Sequence, residues 1–194
     1  MFDFIQSLDT QVMLFFQNTL RVSFLNPIMV FLSYIGYGGI VWIIISIFLI
    51  IRKKTRKTGI FALATMLICY AFNDLLLKVL VGRVRPYETI SELTLLTFTP
   101  GSSSFPSGHA CSSFAASFIL TKFLGKKGAL FYILAVLIAV SRVYVGAHYL
   151  SDVVAGSIVG TIGASIIFMI AGRIGLIGQG DLPTATDMYK TIGE

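Results

Sequence analysis

Residues 27–51 read PIMVFLSYIGYGGIVWIIISIFLII, 25 positions without a charged side chain, and residues 52–57 then read RKKTRK. The apolar run exceeds the roughly 20 residues a helix needs to cross a hydrocarbon core. The basic cluster behind it is what flanks a membrane span. The whole chain agrees with this reading. Of 194 residues, 56% are hydrophobic and 12% charged, the latter about half the roughly 25% of a soluble domain, and the mean hydropathy is +0.86. So few charged side chains cannot cover a water-facing surface. A soluble globular protein, a disordered chain and a disulfide-built secreted module are all excluded, which leaves an all-α integral membrane protein.

The net charge of +6 arises from 15 Lys and Arg against 9 Asp and Glu. On a soluble chain it would suggest nucleic acid; here basic loops that set topology account for it, and no nucleic-acid partner is expected. Cys69 and Cys111 lie inside apolar stretches without Cys-x-x-Cys spacing, so they are read as packing residues with no redox or zinc role. The N-terminus lacks a basic n-region and carries Asp3 and Asp9, so no cleavable signal is expected.

Outward from the first span, residues 2–22 are interrupted by Asp3, Gln6, Asp9, Gln17, Asn18 and Arg21, yet Ile5, Leu8, Val12, Phe15 and Leu20 recur near helical spacing. That pattern predicts an interfacial amphipathic helix over residues 1–25. Further spans are expected at about 59–80, 107–124, 128–146 and 150–172, by the length rule for apolar helices. The expected architecture is one membrane-embedded domain over 1–194: a compact bundle of about five transmembrane helices across 27–172, then a tail at 173–194 too polar to span. Clusters 52–57 and 122–127 lie on one face and hold eight basic residues, which makes that face, and the tail, cytoplasmic. The longest non-spanning segment, 81–106, then faces outward, and its apolar stretch 93–98 is expected to lie against lipid. Gly108, Ser112 and Ala116, and Gly156, Gly160 and Ala164, form small-residue stripes suited to close helix packing.

Polar groups at membrane depth are costly, so each is a question about function. Lys78 and Arg85-Pro86, Pro106-Ser107-Gly108-His109, Ser141-Arg142, and His148 with Asp152 all fall at the outward ends of the expected spans. Four distant segments should therefore converge on one outward-facing site. His148 and Asp152 are four residues apart, one helical turn, where a carboxylate can accept the N–H of one ring nitrogen and leave the other as an oriented lone pair for attack. Residues 106–109 read as a helix start, whose free N–H groups attract anions and where Gly108 lets a ligand approach the backbone. Lys78, Arg85 and Arg142 supply three cations, enough to hold a phosphate dianion. Lys78 can also pair with Asp74 one turn away, with Asn73 in support; Arg83 is assigned to lipid headgroups.

Lys78, six residues, Arg85-Pro86; Pro106-Ser107-Gly108-His109; and Ser141-Arg142, five residues, His148, three residues, Asp152 together resemble the three-part signature of the type 2 phosphatidic acid phosphatase family, whose fold is shared with vanadium haloperoxidases. All eleven positions match at the expected spacing over residues 78–152. The resemblance implies that His148 attacks phosphorus and forms a phosphohistidine, and that Asp152 orients and charge-stabilises it. His109 would protonate the leaving oxygen and then help activate water, while Lys78, Arg85 and Arg142, with Ser107 and the Gly108 N–H, hold the phosphoryl oxygens. It also implies that no metal and no cofactor is needed, the cations neutralising charge instead. Larger relatives have six clear spans, where residues 2–22 here look interfacial.

The expected activity is that of a lipid phosphatase in the cell membrane, with lipid phosphates and membrane lipids as its partners. Small bacterial members of the family it resembles often act on undecaprenyl diphosphate at the outer face, and others on phosphatidylglycerophosphate or phosphatidic acid. The shortness of the chain and the outward site favour undecaprenyl diphosphate, with the other two as alternatives. A non-catalytic anion-binding or transport protein could use the same cations but has no need of an oriented neutral imidazole. A vanadate-dependent oxidase is a third reading, against which membrane embedding weighs. Oligomeric state is not legible in the sequence.

Overall fold

A computed structural model describes residues 2–183 and shows helices joined by turns and loops, with no strand among the described residues. Helix α1 (Phe2–Phe15) continues through a π turn, Phe16–Leu20. Helices α2 (Leu25–Ile35) and α3 (Ile40–Ile51) follow, bent by 54° at a short break. Gly38 and Gly39 sit at φ 57° and 73° in that break, where a Cβ would be strained. The first apolar run is thus two helices meeting at a glycine turn. Helix α4 (Arg56–Phe72) passes through a second π turn, Asn73–Leu77, into Lys78–Val81. After an irregular loop come α5 (Gly108–Leu124), α6 (Phe131–Tyr144) and α7 (Leu150–Arg173).

Among the described residues, three stretches are long and apolar enough to cross a membrane: Arg56–Thr89, Lys126–Tyr144 and Leu150–Arg173; the bent pair α2–α3 is a fourth if taken as one span. Helix α5, expected as a span, has 17 residues and carries Ser112, Ser113 and Ser117. The reason is its position. It lies inside the bundle, packed by α4, α6 and α7, so most of it is buried by protein and need not be lipid-soluble. Trp42 of α3 donates its indole N–H to Ser113 Oγ at 2.8 Å, and Trp42, Met66, Cys111, Ile119, Leu120 and Ile138 form the core. The Gly156 and Gly160 stripe of α7 packs closely on α5: a Cβ on Gly160 would lie 2.2 Å from the Cys111 carbonyl oxygen, and one on Gly156 2.4 Å from that of Ser107. Gly108 of the other stripe instead faces Asp74, 2.8 Å from where its Cβ would be. Cys69 and Cys111 are free and buried in this core, as packing residues should be. The outer faces are apolar: Ile44, Leu75, Val79, Leu130 and Ile158 are all exposed, a surface that suits lipid and would be costly in water.

Two expectations about the periphery change. Helix α1 turns Phe4, Ile5, Leu8 and Phe15 outward and buries Asp9 and Met13, so its polar interruption at Asp9 is an inward contact and not a solvated face. The stretch 93–98 packs largely on protein: Leu93 is buried beside Met13 and Tyr149, Leu95 and Leu96 pack on Tyr144, Val145 and Ala147, and the Leu96 N–H donates to the Val145 carbonyl at 2.9 Å. A backbone without helical hydrogen bonds needs such partners. Only Phe98 is exposed among its apolar residues, where it meets Tyr34 and Tyr37.

Candidate active site

The C-terminal end of α4 with its continuation, the N-terminus of α5, the C-terminus of α6 and the start of α7 lie at one end of the bundle, the end opposite clusters 52–57 and 122–127. There a cavity of about 290 Å³ is lined by Lys78, Arg85, Gly108, His109, Arg142 and His148, together with Tyr37, Tyr70, Asp74 and part of the 98–102 loop. Six of the eight expected site residues therefore line one cavity. Ser107 and Asp152 stand behind it. Ser107 is fully buried and caps α5, its Oγ accepting from the Ala110 N–H at 3.5 Å.

His148 is held by a tight connection: the Ala147 and His148 N–H groups both donate to the Arg142 carbonyl, at 3.1 and 3.2 Å, and Gly146 adopts φ 85°. It precedes α7 and is not part of it. Tyr149 is the N-cap and Asp152 the third helical residue, its Oδ2 accepting the Tyr149 N–H at 2.9 Å. The expected one-turn stacking on a helix is thus replaced by a capping arrangement, which aims the carboxylate back toward the preceding turn. Asp152 Oδ2 lies 3.5 Å from His148 Nδ1, an ion-pair distance longer than a well-formed hydrogen bond. The same oxygen accepts the Ser104 hydroxyl.

His148 Nε2 is 3.3 Å from Arg85 Nη1. A guanidinium can only donate, so Nε2 carries the lone pair and Nδ1 the proton. Burial, then the charges of Arg142, Arg85 and Lys78, hold the His148 pKa well below the ordinary histidine value, leaving the ring neutral. A neutral imidazole with its lone pair facing a cation-lined cavity is a nucleophile in waiting.

The cations are themselves anchored. Arg85 donates to the carbonyls of Ala147 and Ser102, both at 2.7 Å, and of Ser103 at 3.2 Å. Lys78 pairs with Asp74 at 2.5 Å, as expected from their spacing, and the Asn73 amide spans Asp74 and the Pro106 carbonyl, at 3.2 Å each. Arg142 donates to the Ser33 hydroxyl, while its buried Nε has no partner. His109 Nε2 lies 3.2 Å from the Ser33 carbonyl, so that nitrogen holds a proton. Gly36 permits this closeness: a Cβ there would sit 2.5 Å from Ile138 and 2.9 Å from His109.

Sequence reasoning did not find Ser33, Ser104 or the inward role of Asp9. Ser33 looks like one hydroxyl in an apolar span, and only its contact with residues 76 and 109 positions away gives it meaning. Arg83 requires a correction. It does not reach for headgroups: it donates to Asp9 at 2.7 Å and to Asp152 at 2.6 Å, because two buried carboxylates need a counter-charge. A charged residue interrupting an amphipathic helix, together with an arginine two positions before a signature arginine, was the available signal.

Comparison with known proteins agrees with this geometry. The family model of the PAP2 superfamily matches residues 57–175. An undecaprenyl-diphosphatase of Sulfolobus acidocaldarius is 37% identical over 145 residues, covering 73% of this chain and 68% of that protein. A lipid A 4'-phosphatase of Bacteroides thetaiotaomicron is 30% identical over 197 residues, covering 94% and 85%. Among solved structures, a transmembrane PAP2-type phosphatidylglycerolphosphate phosphatase from Bacillus subtilis superposes with a TM-score of 0.65 at 28% identity, covering 90% of this chain and 88% of that one. With the matched segment running from the basic cluster through every residue of the cavity's signature, the chain belongs to the PAP2 superfamily.

Proposed function

We propose that this chain removes phosphate from a lipid at the outer membrane face through a phosphohistidine at His148, without a metal. Its class is that of a lipid phosphatase; the residue roles, the substrate and the orientation are our reading. The observation that carries it is the placement of His148, whose Nε2 lies 3.3 Å from the Arg85 guanidinium within the cation-lined cavity, where it can only accept. A non-catalytic anion carrier would have no use for that arrangement.

In the first half-reaction His148 Nε2 bonds to phosphorus and the bond from phosphorus to the lipid oxygen breaks. His109, doubly protonated for this step with its Nε2–H held by the Ser33 carbonyl, gives its Nδ1 proton to the leaving oxygen and is left neutral. Lys78, Arg85 and Arg142, with the Gly108 N–H, hold the phosphoryl oxygens, and Asp152 balances the positive charge that grows on the His148 ring. In the second half-reaction water attacks phosphorus, His109 accepts its proton, the phosphorus–nitrogen bond breaks and inorganic phosphate leaves. Ser107 supports this site through the start of α5 and not by direct contact.

We read residues 1–194 as one domain with five spans, α5 being the enclosed third, and α1 at the interface. The outward orientation rests on the eight basic residues at the far end of the bundle. The tail 173–194 is then cytoplasmic; its residues 184–194 lie outside the described ones. Undecaprenyl diphosphate is the favoured substrate, supported by the 37% identity to an undecaprenyl-diphosphatase. Phosphatidylglycerophosphate is a second reading, favoured by the Bacillus subtilis structure, whose match covers 90% of this chain and 88% of that one; phosphatidic acid belongs to the same monoester class. The test is quenched turnover on lipid labelled in the scissile phosphate: an acid-labile, base-stable phosphoprotein should form in the wild type and be absent in His148→Ala. Turnover without labelled protein would refute the covalent route.

A further inference from the structure

Helix α1 carries a carboxylate that neither the signature nor the cavity uses. Asp9 is 2% exposed. Its Oδ1 accepts the Ser151 N–H at 3.0 Å, and its Oδ2 accepts the Ser151 hydroxyl and Arg83 Nη2, the latter at 2.7 Å. Arg83 Nη1 donates to Asp152 Oδ1 at 2.6 Å and to Ser151 Oγ at 2.8 Å. The guanidinium lies 3.9 Å from the centre of the Tyr149 ring, next in sequence to His148. One planar fork therefore bridges a carboxylate on the N-terminal helix and the carboxylate behind the proposed nucleophile, across 143 positions of sequence.

We propose that Asp9 and Arg83 are positioning residues of the reaction, acting on His148 through Asp152, so that α1 is part of the catalytic machinery and not merely an anchor. The inference rests on the phosphohistidine reading above and deepens it. Two effects are separable. Arg83 fixes Asp152 Oδ1, which sets the rotation of the carboxylate and leaves Oδ2 as the oxygen nearest His148 Nδ1. Arg83 by itself would also cancel the charge of Asp152. Asp9 divides that guanidinium between two carboxylates, so the three groups together keep one negative charge. That charge is what a ring turning cationic during attack on phosphorus requires. A neutral cluster would hold the same shape and supply less stabilisation.

The bland alternative is a clamp that only ties α1 to α7. Kinetics on the purified full chain in detergent, with dioctanoyl phosphatidic acid and undecaprenyl diphosphate as probes, separate the two. Asp9→Asn keeps an acceptor for the Ser151 N–H but loses the charge. It should lower kcat by about 10–100-fold, the usual scale for outer partners of a reacting group. KM should hold within about twofold, since Asp9 touches none of the residues that line the cavity. In an Asp152→Asn background the same change should cost no more than about twofold, because its route is already cut. Unchanged kcat per folded molecule, or equal losses in both backgrounds, would overturn the inference in favour of the clamp. If Asp9→Asn does not fold, Asp9→Asn/Arg83→Gln serves instead: Asp152 keeps its single negative charge but loses the Arg83 donor that fixes its rotation, so kcat should still fall. Wild-type kcat there overturns the inference, because neither side chain would then be needed to position Asp152. A wild type that turns over without forming a phosphohistidine brings down the functional reading and this inference with it, whereas a labelled wild type with an uncoupled Asp9 overturns this inference alone.

Discussion

Replacing Ser33 by alanine removes the hydroxyl that Arg142 reaches, and the structure sets how much that matters. Arg142 is 2% exposed and its Nε already has no partner, so the variant leaves a buried guanidinium without its neutral acceptor. A hydrogen bond to a charged group is worth about 1.5–3 kcal/mol, and an unpaired buried charge lies at the upper end. For a chain of this size each kcal/mol moves the unfolding midpoint by roughly 2–4 °C, so the ligand-free protein should melt about 3–12 °C lower. The loss should be conditional. Saturating vanadate offers Arg142 new oxygens, so it should raise the midpoint of Ser33→Ala more than that of the wild type. The backbone carbonyl of residue 33 remains, so the anchoring of His109 is untouched and kcat should fall less than stability does. The assay is thermal unfolding in detergent, with and without vanadate. A ligand-free midpoint within about 2 °C of the wild type, less than one kcal/mol on the same scale, would refute the reasoning. So would equal gains from vanadate in both proteins.

Activity should survive a strong chelator and be blocked by vanadate, a five-coordinate mimic of phosphorus bonded to His148; loss on chelation that magnesium restores would refute a route carried by Lys78, Arg85 and Arg142. His109→Ala should lose roughly 10²–10⁴-fold on phosphatidic acid, whose alkoxide leaving group needs a proton, and noticeably less on undecaprenyl diphosphate. A lipid monophosphate, with a second ionisation near pH 6, leaves with little help. Phosphate release at saturating substrate measures both, and equal losses would point to a role for His109 in binding or water activation instead.

The residues around the cavity were legible because each sits at a helix end and the spans alternate in direction, which forces those ends together. Motif spacing then supplied their identities. What the sequence could not carry were the cross-chain partners: Ser33 with Arg142, 109 positions apart, and Asp9 with Arg83, 74 apart. Spacing along one helix also misled for His148 and Asp152. Four residues apart suggests one helical turn, but α7 begins at Leu150 and the pair spans its cap. The outline of α5 from 107 to 124 was visible, although hydropathy alone undervalues it, since enclosure by neighbours relaxes the need for apolar side chains.

That enclosure bears on how the chain is made. Ser112, Ser113 and Ser117 are buried against neighbouring helices in the finished bundle, but α5 leaves the ribosome before α6 and α7 exist. In bare lipid its hydroxyls and closely spaced small residues would find few partners. Helix α4, already synthesised and packed on α5 in the final fold, is the escort available at that moment, and the Gly156–Gly160 face of α7 closes the remaining side last. Insertion of α5 should therefore be a team event. A chain truncated before residue 150 should hold this helix poorly in the bilayer, even though every residue of α5 is present.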